Sequence, residues 1–160
     1  MRSRWLAVAV VAGVVLGRDS SQASAPPQGS CGTPSVLALD EGSTRGSDPD
    51  LVALDPPVVG GEFDLAVRGG PPCSHGCLLW SPRETATFFR RYGATNFLAE
   101  PVLVGAFHLN ASGDSPDLIN RNVPALLCGM ELVFQAFVID PDARGGVAFT
   151  NGLRVHFGQR

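Results

Sequence analysis

The segment at residues 131–140, ELVFQAFVID, is apolar on both of the faces that a β-strand would present. Successive side chains of a strand point to opposite sides of the sheet. One face would carry Leu132, Phe134, Ala136 and Val138, and the other Val133, Gln135, Phe137 and Ile139. A strand with two apolar faces needs other elements packed against both of them. The segment therefore predicts a central strand of a sheet.

The residues after this segment predict strands that return along it. PDARGG at 141–146 has the composition of a turn, VAFT follows, and NG at 151–152 predicts a second reversal or a bulge. In the closing LRVHFG, the polar residues would face outward and the apolar residues would face the core, namely Leu153, Val155 and Phe157. The terminal segment is thus expected to be part of the core.

Other short segments also read as strands. In EFDLAV at 62–67, Phe63, Leu65 and Val67 would face inward, whereas Glu62 and Asp64 would face water. SVLALD at 35–40 and CLLW at 77–80 are further candidates, and Pro101 marks an edge strand or a break between two strands. We therefore predict an all-β fold, an antiparallel β-sandwich that forms a single domain over residues 35–158 after an irregular, Pro-rich lead at 24–34.

One stretch, SPRETATFFRRYG at 81–93, carries signals for a short helix near residues 82–92. Ser81, Pro82 and Glu84 match a helix start, and Gly93 matches a helix end. Its threonines and aromatic residues, however, favour a strand. Both alternatives stay open from the sequence.

The first 23 residues predict a signal peptide. Two arginines precede a run of thirteen uncharged residues at 5–17, too short to span a bilayer comfortably, and Ser21 and Ala23 suit cleavage after Ala23. An uncleaved membrane anchor is the alternative. We expect a secreted, periplasmic or envelope protein with no stable membrane insertion after signal cleavage.

Four cysteines after an export signal predict two disulfides. Cys73 and Cys77 enclose SHG, a short turn that could close a local bridge, which leaves Cys31 to pair with Cys128. A metal site at Cys73, His75 and Cys77 is the competing interpretation. Zinc sites usually have a second compact ligand pair, and the other two cysteines are isolated, so disulfides are favoured.

Charge argues against some classes of partner. The whole chain has a net charge of −3, and removal of residues 1–23 would leave −5. Nucleic acids and anionic membranes bind clustered positive charge, so neither is expected as a partner. Oxygen-rich stretches at 47–50, 113–117 and 140–142 lack the spaced ligands of a calcium loop and are typical of Asp-Pro turns.

No catalytic motif stands out. There is no G-x-S-x-G elbow, and oxidised cysteines could not act as nucleophiles. We therefore predict no catalytic residue, cofactor or metal site. The alternative is a small secreted hydrolase or metal-dependent enzyme that uses His75 or His108 with Asp114 or Asp117, since catalytic groups can assemble in space.

Several stretches, among them CGTP at 31–34, LLWSP at 78–82, the run Q-A-x-V-x-D-P at 135–141 and TNGLRV at 150–155, carry a resemblance. Over residues 31–158 the chain resembles an uncharacterised all-β module found at the C-terminal ends of exported proteins from planctomycete-like, GC-rich Gram-negative bacteria. It departs from that pattern in the charged insert RETATFFRRYGAT and in the close pair Cys73 and Cys77. The resemblance implies a fold and an envelope or surface location, and it transfers no catalytic residue. The leading prediction is an exported, non-catalytic binding or structural module with an unknown envelope or extracellular partner.

Overall fold

The computed structural model describes residues 31–39, 46–119 and 121–160. Twelve strands lie in these ranges: β1 Ser35–Ala38, β2 Asp50–Ala53, β3 Glu62–Phe63, β4 Leu65–Arg68, β5 His75–Ser81, β6 Glu84–Phe89, β7 Ala94–Leu98, β8 Val102–His108, β9 Arg121–Asn122, β10 Glu131–Ile139, β11 Val147–Phe149 and β12 Leu153–His156. The helical segments in the same ranges are two 3-10 turns, Ala125–Leu127 and Arg144–Gly146. All ladders between these strands are antiparallel, so the predicted all-β fold is confirmed. Neither described helical segment could cross a membrane, since neither is long and apolar enough.

The central position predicted for the segment 131–140 is confirmed. The main sheet has the order β1-β12-β10-β5-β8, and β11 pairs with β10 on the side that β12 also uses. Between β11 and β12, the Thr150 amide donates to the Ala136 carbonyl, 3.0 Å away. Residues 150–152 therefore form an irregularity between two strands that follow one another along β10. They do not reverse the chain.

One face of the main sheet packs on the principal core. The even-numbered residues of β10 contact apolar side chains from β2, β3, β4, β5, β8 and β12: Leu51, Phe63, Leu65, Val67, Leu78, Phe107, Leu153 and Val155. The inward positions predicted in EFDLAV and LRVHFG are thus confirmed. Two short two-stranded sheets, β2 with β4 and β3 with β9, cover this face. A sandwich needs two full sheets packed face to face, and that arrangement stays a prediction.

The other face of β10 packs against the hairpin of β6 and β7. Val133 forms a second, smaller cluster with Phe97 and Leu98 of β7. Gln135 is fully buried beneath the hairpin, and its side-chain amide bonds to the backbone of Phe97 and Thr95. The middle of the odd-numbered face of the central strand is therefore covered by β7, the second strand of the hairpin that includes the segment with helix-like signals, whereas Ile139 on the same face is exposed.

The helix considered for residues 82–92 does not form. β6 and β7 pair across a turn, and the hydroxyl oxygen of Ser81 accepts from the amides of Arg83 and Glu100. These bonds join the residue before β6 to a residue after β7, so they close a hairpin and do not cap a helix. Threonines and aromatic residues fit a pleated surface better than a helix, and in the hairpin Phe89 and Tyr92 pack against Phe149 of β11.

The predicted outward position of Asp64 is wrong. Asp64 is only 8% exposed, and it lies between β3 and β4. Its Oδ1 is buried and, within the part of the chain that the structure describes, has no hydrogen-bond partner. Burial raises the pKa of Asp64, and the nearby carboxylates of Asp117, Asp55 and Glu62 raise it further.

Of the two predicted disulfides, the structure contains one. Cys31 and Cys128 form a disulfide, with Cα atoms 4.9 Å apart across a sequence separation of 97. Cys73 and Cys77 are not joined and are free thiols. The turn predicted between them is wrong, because β5 starts at His75 and the chain enters the ladder in an extended form.

Gly76 shows how firmly this part of the chain belongs to the sheet. A Cβ at position 76 would lie within 3 Å of Phe107 and of the Phe137 carbonyl oxygen. The position thus lies against both neighbouring strands. Of the remaining predictions, the signal peptide at 1–23 and most of the lead at 24–34 lie outside the described residues, and residues 31–34 of that lead form no strand.

Candidate functional site

The two candidate histidines stand side by side on the main sheet. His75 of β5 and His108 of β8 are direct register partners. Their rings lie edge to face, with centroids 4.6 Å apart and planes at 86°. Both residues are exposed. The sheet therefore presents two imidazoles together to solvent, although they are 33 residues apart in sequence.

The candidate aspartates have other contacts. Asp114 lies 3.8 Å from the guanidinium of Arg68, and its carboxylate accepts a long bond of 3.4 Å from the Gly69 amide. Asp117 is exposed and lies near Asp64. In the described ranges, no hydrogen bond or ion pair joins either aspartate to His75 or His108. An enzyme built on these residues stays a prediction.

The third histidine of the chain, His156 of β12, contacts the backbone of Cys31, one of the two disulfide-bonded cysteines. Nε2 of His156 lies 3.0 Å from the Cys31 carbonyl oxygen, and Nδ1 lies 3.8 Å from the carboxylate of Glu131. The His156 side chain is half-buried, and both of its ring nitrogens have a polar contact. His156 thus has a structural role, and it can serve as a control in experiments on His75 and His108.

A small apolar recess of about 290 Å³ adjoins the histidine pair. His75 lines it together with Cys77, Phe137, Ile139 and Val147. Burial raises the pKa of the Cys77 thiol, and a hydrogen bond with the Phe137 backbone only partly offsets that effect. Because the thiolate is the nucleophilic form of cysteine, this raised pKa disfavours Cys77 as a nucleophile.

The oxygen-rich stretch at 140–142 has a structural role. Its buried Asp140 carboxylate accepts hydrogen bonds from the amide and the hydroxyl of Ser47, at 2.8 and 2.7 Å, and from the amide of Asp142. Burial tends to raise the pKa of Asp140, but these bonds lower it overall. In the described residues, no group of three or more His, Cys, Asp or Glu side chains is placed to hold a metal ion together.

β8, an edge strand of the main sheet, exposes several apolar side chains. Val102, Leu103 and Val104 are 45%, 62% and 41% exposed. β8 pairs with β5 on one side and, among the described strands, has no partner on the other. From Pro101 to Gly113 the sequence contains no Asp, Glu, Lys or Arg. The charges that usually protect an edge from pairing with another chain are therefore absent here.

Sequence reasoning identified Pro101 as the mark of an edge or a break, and both interpretations hold: β7 ends before Pro101, and β8 begins after it as an edge strand. It did not identify the histidine pair. His75 and His108 meet only because of the register between β5 and β8, which includes a shift between Leu78 and Leu79. No local pattern specifies that register.

The chain matches no family model, no curated protein and no solved structure.

Proposed function

We propose that this chain is an exported, non-catalytic module of the cell envelope or surface that binds an extended segment of a partner polypeptide along β8. The observation that carries the proposal is the uncharged, apolar edge of the main sheet at Val102, Leu103 and Val104. An exposed edge offers a row of backbone donors and acceptors. A peptide in extended conformation can satisfy them by adding as a further strand.

The side chains of β8 give such an interface some specificity. Its seven residues are long enough for several ladder hydrogen bonds, and the side chains on the two faces of β8 would contact alternate residues of an added strand. Because the neighbouring surface is apolar and uncharged, the favoured partner segment is itself apolar and rich in β-branched residues.

One observation and two predictions support an exported location. The disulfide between Cys31 and Cys128 is compatible with an oxidising compartment. The sequence of residues 1–23 and the resemblance to C-terminal modules of exported proteins, both of them predictions, suggest the same compartment.

The test uses a photo-crosslinking amino acid at Val104 of the mature chain, mixed with an envelope extract. We expect a covalent adduct with one partner polypeptide, and a synthetic peptide of the crosslinked segment should slow hydrogen exchange of the β8 amides. Leu103→Lys should abolish both effects, since it places a charge on the edge. Leu126→Lys is the matched control, because Leu126 is 74% exposed on a 3-10 turn outside β8.

Adducts that form equally in both lysine variants would contradict the proposal. Adducts only between copies of this chain would also contradict it, because they would indicate self-association instead of a partner.

A further inference from the structure

His75 and His108 are spaced as two imidazole ligands of one metal ion would be. The two residues lie directly opposite each other on adjacent antiparallel strands, where Cβ atoms are about 4.5 to 5.5 Å apart. Their ring centroids are 4.6 Å apart. A metal ion bound to two imidazoles at about 2.0 to 2.1 Å from each nitrogen needs ring separations of this order.

The backbone beneath the pair is held in place on both strands. The Leu109 amide donates to the Ser74 carbonyl and the Cys73 amide to the Asn110 carbonyl, at 2.8 and 3.0 Å, immediately beside the two histidines. These bonds keep the two strand ends together. The imidazoles are therefore brought together before any metal binds.

The rings themselves can adjust. They lie edge to face at 86°, so chelation requires one of them to turn. Rotation about the bond to a planar ring is soft, and both side chains are exposed. In the described residues, neither ring has a hydrogen bond or an ion pair that would resist the turn, whereas His156 has a close contact with the Cys31 carbonyl.

Imidazole nitrogen is a preferred ligand of the later first-row transition metals, and carboxylate oxygen is preferred by magnesium and calcium. We propose that His75 and His108 together bind one divalent late transition-metal ion, such as Ni²⁺, Cu²⁺ or Zn²⁺, at the outer surface of the main sheet. The remaining coordination positions face solvent beside the apolar recess that His75 also lines. They are open to water or to a donor atom of a small molecule bound there.

This proposal does not depend on partner binding along β8, because the isolated chain is enough to test it. Isothermal titration calorimetry of the untagged, disulfide-intact mature chain with Ni²⁺ is the direct measurement. Ni²⁺ is chosen because it does not oxidise the free thiols as Cu²⁺ can. We expect saturable binding of one ion per chain, and no comparable heat with Mg²⁺ or Ca²⁺.

Three matched variants locate the site, each replacing one histidine with threonine, which suits a strand and lacks an imidazole. His75→Thr and His108→Thr should each weaken Ni²⁺ binding by about tenfold or more, since each removes one of two ligands. His156→Thr should leave the affinity unchanged. Circular dichroism of each variant checks that the sheet content is retained.

A variant with Cys77→Ser separates the imidazoles from the neighbouring thiol and should bind Ni²⁺ as the unmodified chain does. The proposal would be overturned by undiminished binding in His75→Thr or His108→Thr, by loss of binding in Cys77→Ser or His156→Thr, or by the absence of saturable binding to the unmodified chain.

Discussion

Gln135 is a polar side chain of β10 that connects this strand to the β6–β7 hairpin. It is fully buried, and its Oε1 accepts from the Phe97 amide at 3.0 Å. Its Nε2 donates to the carbonyl oxygens of Thr95 and Thr150, both at 2.9 Å. One side chain thus connects the central strand to the hairpin above it and to the irregularity between β11 and β12.

Replacement of Gln135 by methionine retains the length of the side chain and removes all three hydrogen bonds. A buried polar group left without a partner costs about 1 to 3 kcal/mol, and carbonyls, which have two lone pairs, cost less than amides. Allowing for the apolar burial that methionine gains, we expect Gln135→Met to lower the free energy of unfolding by about 3 kcal/mol. For a chain of this size, the melting temperature should fall by about 10 °C.

Urea unfolding followed by circular dichroism measures the change in free energy, and hydrogen exchange at the Phe97 amide reports the local loss. Gln159→Met is the matched control, because Gln159 is exposed and its described hydrogen bond uses only the backbone. The control should change stability by less than about 0.5 kcal/mol. If Gln135→Met cost no more than this control, the three hydrogen bonds would not hold the hairpin, and the reasoning would be refuted.

The other predictions concern the disulfide and two buried carboxylates. Replacing Cys31 and Cys128 by alanine should lower the free energy of unfolding by about 4 to 5 kcal/mol in the chain-entropy model, because the bond closes a long loop; calorimetry should find little change when the two unbonded cysteines are replaced instead. Asp64→Asn should stabilise the protein at pH 7. The pKa of Asp64 is raised in the folded state, so the native protein loses stability as pH rises above about 4. The gain from Asp64→Asn should therefore vanish in unfolding experiments at lower pH. Asp140→Asn should do the opposite: its lowered pKa contributes stability above about pH 4 that is lost in acid, so a destabilisation that persisted undiminished at pH 2 would contradict the assignment.

Local alternation in the sequence was enough to determine much of the fold. The two apolar faces of residues 131–140 predicted the central strand, and the inward residues of EFDLAV and LRVHFG are all in the core. These predictions succeed because a strand has a period of two, and a side chain on a buried face must be apolar or hydrogen-bonded. Pro101 likewise marked the edge strand, since proline lacks the amide that an interior ladder needs.

Tertiary structure decided what depends on pairing between distant segments. Residues 84–89 form a strand despite helix-start signals, because they pair with β7, whose Phe97 and Leu98 pack on Val133 of β10. The burial of Asp64 and the separation of Cys73 from Cys77 follow from where strands begin and end within their ladders. His75 and His108 meet through the register of two strands. Such registers are set by the sum of many long-range contacts, and the spacing of residues along the chain does not encode them.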